Sequence, residues 1–131
     1  KEIKRLEKLQ DYFFAEIPKI EKSTGYNIQI NGDKNIRLPN NINLSIEDIS
    51  SELLVTELDA YGVEVSEKSA CKSADEGQSY VIEAIRNKEG SDFTKESIRF
   101  SFGRATTKEE VKYALDVLKK ILLKYKEWKK V

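Results

Sequence analysis

The chain has 131 residues, with 23 Lys and Arg against 23 Asp and Glu, a formal net charge of zero, no His and one Cys. Balanced signs exclude a generic polycation that binds nucleic acid through counterion release, and with no His and one Cys neither a conventional structural zinc site, an internal disulfide nor Ser-His-Asp or Cys-His catalysis can be completed within the chain. At 39% hydrophobic and 35% charged, the composition is that of a soluble globular domain, expected to occupy residues 1–131 as one unit.

The first predicted element is an amphipathic helix: Ile3, Leu6, Leu9, Phe13, Ile17 and Ile20 recur every three or four residues, with Lys and Glu between them. Pro18 is expected to end it. After a turn at Ser23-Thr24-Gly25, the alternation of Tyr26 to Ile30 predicts a strand, and Asn31-Gly32-Asp33 a second turn. Asn41 to Ile46 predicts the next strand, with Ile42, Leu44 and Ile46 on one face and the polar face left unassigned. Between Ser50 and Tyr61, Leu53, Leu54, Leu58 and Tyr61 return at helical spacing, and Gly62 is placed to stop that helix. A short strand, Val63 to Ser66, should follow.

Residues 67 to 78 contain almost no bulky apolar side chain, so a mobile loop is expected there, and it holds Cys71. A short helix restarts at Tyr80, Val81, Ala84 and Ile85, and a polar connection covers Asn87 to Lys95. Ser97 to Phe102 is the clearest strand, with Ile98, Phe100 and Phe102 inward and Ser97, Arg99 and Ser101 outward. The last helix begins at Thr107, which forms a capping box with Glu110, and Val111, Ala114, Leu115, Leu118, Leu122 and Tyr125 make its apolar stripe. The expected class is α+β: a small, mainly antiparallel sheet covered by helices, with long helices at the amino and carboxyl ends. No apolar run is long enough to span a membrane and no secretory leader is visible, so a cytoplasmic setting is expected.

Two residues can carry chemistry. A lone Cys is most simply a small buried hydrophobe. Cys71, however, lies among Lys68, Ser69, Lys72 and Ser73, and nearby positive charge raises the thiolate fraction above the roughly 3% of a free thiol at neutral pH. Arg99, on the outer face of a strand, is either simply solvated or a carboxylate clamp, since a guanidinium fork matches a carboxylate bidentately and a strand holds it in place. Arg104 is a weaker candidate of the same kind, and Tyr125 and Trp128 read as packing residues.

Three segments carry a family resemblance. Val65-Ser66-Glu67-Lys68-Ser69-Ala70-Cys71-Lys72-Ser73-Ala74 with Ser79-Tyr80-Val81-Ile82, Ser97-Ile98-Arg99-Phe100-Ser101-Phe102-Gly103-Arg104-Ala105-Thr106-Thr107-Lys108-Glu109-Glu110, and Leu38-Pro39-Asn40-Asn41-Ile42-Asn43-Leu44-Ser45 resemble the carboxyl-terminal part of the cysteine desulfurases, pyridoxal-phosphate enzymes of the class V aminotransferase group. The resemblance implies that Cys71 accepts sulfur from L-cysteine as a persulfide, that alanine is released, and that Arg99 holds the substrate carboxylate. Lys68 stands where most members with this loop have Gly.

In the family the Schiff-base Lys, the stacking His and the groups that hold the phosphate belong to a large domain, so this chain alone is expected neither to bind pyridoxal phosphate in the family's manner nor to turn over cysteine. Lys1 in place of an initiating Met fits a piece of a longer protein. The implied partners are the large pyridoxal-phosphate domain and a sulfur acceptor such as an iron-sulfur scaffold or a tRNA-thiolation protein, with a homodimer for the intact enzyme and no nucleic acid or membrane. The rival readings are a free-standing, cofactor-independent persulfide carrier and an inert packing domain.

Overall fold

The computed structural model describes residues 2–32, 40–69 and 96–129. Their elements run α1 (Glu2–Thr24), β1 (Ile28–Ile30), β2 (Asn41–Ile46), α2 (Ser51–Ala60), β3 (Val65–Ser69), β4 (Glu96–Ser101) and α3 (Lys108–Lys129). The strands form one antiparallel sheet in the order β1-β2-β4-β3, so the last strand lies between β2 and β3. The α+β class holds. The expected helix at 80–85 and the connection at 87–95 lie outside the described residues.

Alternation along the strands divides the sheet into two faces. Ile28, Ile42, Leu44, Ile46, Ile98 and Phe100 join a core with Leu6, Leu9, Phe13, Ile17 and Ile20 of α1 and Val111, Leu115, Leu118, Ile121 and Leu122 of α3. Phe13 is fully buried, and its ring meets Phe100 at 5.0 Å and Phe102 at 6.2 Å, both tilted, so α1 is fixed directly onto β4. Ile3, at the start of the predicted stripe, is exposed.

The long first helix corrects one expectation, because it continues through Pro18 to Thr24. Proline removes one amide donor and crowds the carbonyl four residues back. Pro18 sits on the exposed side, where that carbonyl can tilt toward water, while Ile17, Ile20 and Thr24 hold the opposite side in the core. The stop comes at Gly25, in the left-handed region at φ 81°, whose amide closes onto the Glu21 carbonyl at 2.8 Å.

Capping defines the other two helices. Ser50 accepts the Leu53 amide at the start of α2, and the Gly62 and Val63 amides donate to the Asp59 and Leu58 carbonyls at its end, which is a Schellman arrangement with Gly62 at φ 84°. A Cβ added at Gly62 would meet nothing within 4 Å, so Gly62→Ala isolates the cost of the left-handed backbone. We expect a loss of about 1 kcal/mol, read as a lower urea midpoint with an unchanged slope. At α3, the Thr107 amide donates to Glu110 Oε1 at 2.9 Å and the Glu110 amide to Thr107 Oγ1 at 3.1 Å, the predicted capping box.

Arg5 ties the amino end of the chain to the turn between β4 and α3. Its guanidinium donates to the carbonyls of Thr106 (2.6 Å), Gly103 (2.8 Å) and Arg104 (3.0 Å), and to Glu2. Across α2 and α3, Glu57 accepts from Lys124 Nζ at 3.0 Å and from the Tyr125 hydroxyl at 2.9 Å. The Lys124 and Tyr125 hydrogen bonds hold the Glu57 carboxyl below its ordinary range, and the bond to Glu57 raises Lys124.

These shifts set a pH window. A depressed carboxyl stabilises the fold above its unfolded pKa, about 4.3, and loses that contribution as pH falls through the folded value. A raised ammonium stabilises below about 10.4 and loses its contribution as pH climbs through the folded value. Glu57→Gln should therefore lower the melting temperature slightly at neutral pH, and by progressively less as pH falls from the unfolded value through the depressed folded one, and added salt should shrink the difference. Melting curves of the two proteins at pH 3 and pH 7 check it.

Candidate functional site

The sheet face turned away from the core is polar, and its residues fall into rows set by the strand register. Arg99 on β4 stands opposite Asn43 on β2 and Ser66 on β3. Arg99 and Ser66 are exposed and Asn43 is half-buried. The row is central rather than marginal, because β4 has a paired strand on either side.

Two kinds of strand pair occur in an antiparallel ladder, and the bonds beyond β4 identify which one Arg99 occupies. The Phe102 amide donates to the Asn40 carbonyl at 2.7 Å, directly opposite it in register, so alternate pairs from there are hydrogen-bonded and Asn43 and Arg99 form a non-hydrogen-bonded pair. Such pairs bring the side chains closest, with Cα atoms roughly 4.5 Å apart. No hydrogen bond or ion pair engages the Arg99 guanidinium among the described residues. It is a planar cation with its donors free, anchored on a strand that Phe13 grips from beneath.

Asn43 is itself anchored. The Asn31 amide nitrogen Nδ2 donates to Asn43 Oδ1 at 2.7 Å and to Ser45 Oγ at 2.9 Å, and the Asn31 backbone amide donates to the Asn43 carbonyl. Ser45 is fully buried, so this small network is built into the sheet. The strand pattern of Asn41 to Ile46 placed Asn43 and Ser45 on the polar face, but nothing local announced the bond from Asn31.

Of the other residues singled out, Cys71 lies outside the described residues. Ser69, two positions before it, is the last residue of β3 and pairs in register with Glu96, three positions before Arg99. Glu67, Lys68 and Ser69, expected in the loop, complete β3 instead, and the rest of the segment expected as a loop lies outside the described residues. Arg104 is exposed in the turn after Gly103, and its carbonyl, not its guanidinium, is what the fold uses. Tyr125 packs against the core as expected, but Trp128 does not: it is exposed, and meets Tyr125 edge to face at 4.7 Å with Lys124 over both rings. Among the described residues, no group of three His, Cys, Asp or Glu side chains could hold a metal ion. No described helix is long and apolar enough to cross a membrane.

Comparison with known proteins adds the wider context. The model of the class-V aminotransferases matches residues 3–114. The chain is 44% identical over 85 residues to the cysteine desulfurase IscS of Dictyoglomus turgidum, covering 65% of this chain and 21% of that protein. It is 38% identical over 80 residues to the cysteine desulfurase IscS 1 of Archaeoglobus fulgidus, covering 61% and 20%. It spans about a fifth of the length of these curated relatives. Among solved structures, a NifS-like protein superposes with a TM-score of 0.65 at 24% identity, and the NifS-like protein of Rickettsia africae with 0.67 at 19%. Each superposition covers 92% of this chain and 28% or 29% of the other, and each is a likeness of fold.

Proposed function

The chain belongs to the class-V aminotransferase family, and from that premise we propose that residues 1–131 are the small domain of a cysteine desulfurase. In this reading Arg99 holds the carboxylate of L-cysteine, and Cys71 takes its sulfur. The observation that carries the reading is the guanidinium of Arg99, exposed on a central strand at the polar sheet face and, among the described residues, without a hydrogen-bond or ion-pair partner. A cation anchored on a strand, with its donors uncommitted, is suited to a planar anion that arrives from outside.

The family's reaction uses pyridoxal phosphate, which supplies the electron sink for breaking the bond between carbon and sulfur. The described polar face offers a guanidinium, amides and hydroxyls, without an aromatic ring to stack on the pyridine, and the chain has no His. These residues do not make a pyridoxal-phosphate site by themselves. The cofactor would be held by a large domain of the kind the longer relatives have room for, and this chain's part is binding and acceptance.

The acceptance step balances without an external oxidant. The thiol of Cys71 gains one sulfur atom to become a persulfide, and cysteine, having lost that atom, leaves as alanine. A persulfide formed there would pass to an acceptor protein, for which an iron-sulfur scaffold or a tRNA-thiolation protein is the expected class, and the intact enzyme would be a dimer.

Mass spectrometry of Cys71 tests the reading, with the chain mixed with L-cysteine and a separately produced large domain loaded with pyridoxal phosphate. A gain of one sulfur on Cys71, lost in Cys71→Ser and absent without the large domain, is the expected result. Gain from an unrelated desulfurase, but not from the matched large domain, would instead make the chain a persulfide carrier. No gain with any donor would overturn the proposal.

A further inference from the structure

We propose that Asn43, set in orientation by Asn31, is a second donor to the carboxylate that Arg99 binds. The inference deepens the reading of Arg99 given above and rests on it. It begins from the non-hydrogen-bonded pairing of Asn43 with Arg99, the position in an antiparallel ladder where opposed side chains lie closest.

An amide side chain can show an approaching ligand either an acceptor or a donor. At Asn43 the choice is made by its neighbour. Its Oδ1 is engaged by Asn31 Nδ2 at 2.7 Å, on the side of β1. The strand order puts β1 and β4 on opposite sides of β2, so the amide nitrogen of Asn43 is left for the side of β4, where Arg99 stands. No described hydrogen bond uses that nitrogen.

Asn31 is held in turn. Its Nδ2 also donates to Ser45 Oγ at 2.9 Å, so both of its hydrogens are engaged, one of them by a fully buried hydroxyl. The backbone bond from the Asn31 amide to the Asn43 carbonyl fixes the separation of the two residues. The guanidinium of Arg99 and the amide nitrogen of Asn43 then converge as donors, with no carboxylate on the row to compete for them. This is a site for a small carboxylate and against a cation. Asn43 is the binding residue in this assignment and Asn31 the positioning residue.

The experiment uses the full chain, isotope-labelled, titrated with sodium acetate against sodium chloride at matched ionic strength. Nuclear magnetic resonance follows the Arg99 Nε–H and the Asn43 side-chain amide. Acetate-specific shifts of both groups with one dissociation constant are expected. Movement of Arg99 alone would overturn the role of Asn43 and leave the carboxylate reading in place. Movement of neither would overturn both. In Asn43→Ala the acetate dissociation constant should rise about 5-fold, the loss of one hydrogen bond to an anion at an exposed site. Asn31→Ala should weaken acetate in the same direction while its backbone amide spectrum stays that of the folded chain. An unchanged constant in that variant would remove Asn31 from the assignment.

Discussion

Phe13→Ala is expected to destabilise the domain by about 3–5 kcal/mol, the usual cost of emptying a buried aromatic site. Phe13 has no exposed surface, and its ring packs against both Phe100 and Phe102. Those two tilted contacts are part of the loss, since aromatic pairs contribute about 0.5–1.5 kcal/mol beyond area alone. Domains of this kind are stable by only about 5–15 kcal/mol, so one truncation removes a large share. A guanidinium-chloride titration reads the effect as a lower midpoint, with Phe13→Leu falling between the variant and the parent. A loss below about 1 kcal/mol would contradict the packing described.

Arg99→Gln separates the functional reading from the structural one. Because the guanidinium makes no described ion pair or hydrogen bond and is exposed, stability should change by no more than about 0.5 kcal/mol. With a large domain supplying pyridoxal phosphate, kcat/KM for L-cysteine should fall about 100-fold, roughly the 3 kcal/mol of a charge-assisted, two-pronged contact. Arg99→Lys keeps the charge and loses the fork, so it should recover only part of the loss. Steady-state alanine release, with equilibrium unfolding of the same variants, measures both quantities. An unchanged kcat/KM would make Arg99 a solvated surface residue.

Much of this architecture could be read from local pattern. The strand Asn41–Ile46 appears with the bounds its alternation suggests, and Ser50, Gly62 and the Thr107–Glu110 pair mark helix ends because capping needs only neighbours. Failures came where distant contacts outweigh local preference. Pro18 did not end α1, because the helix is held on its other side by core packing. The strand after α2 starts at Val65 rather than Val63, since the Val63 amide is committed to the Leu58 carbonyl, and it runs on through polar Lys68 and Ser69 because β4 pairs with them.

The candidate site follows the same division. Arg99 was legible as an outward residue on a strand. Its neighbours were not, because the insertion of β4 between β2 and β3 joins segments far apart in the chain, and a polar residue at an outward position looks the same whether it meets water or another strand. The Asn31 bond to Asn43 and Ser45 is of that kind.

The order of the strands also bears on how the chain acquires its structure. The first two strands are neighbours and can pair as a local hairpin, but β2 and β3 have no direct ladder between them and must both wait for β4. Arg5 adds contacts about 100 residues away, to the turn that follows β4. Interactions of such long separation slow folding, because closure entropy must be met before they form. On a ribosome, the sheet would remain two unjoined pieces until residues 96–101 emerge. The strand that carries Arg99 is thus the one whose arrival joins those pieces into one sheet, and a chain truncated before it, lacking also the core residues of α3 that follow, should collapse without a cooperative unfolding transition.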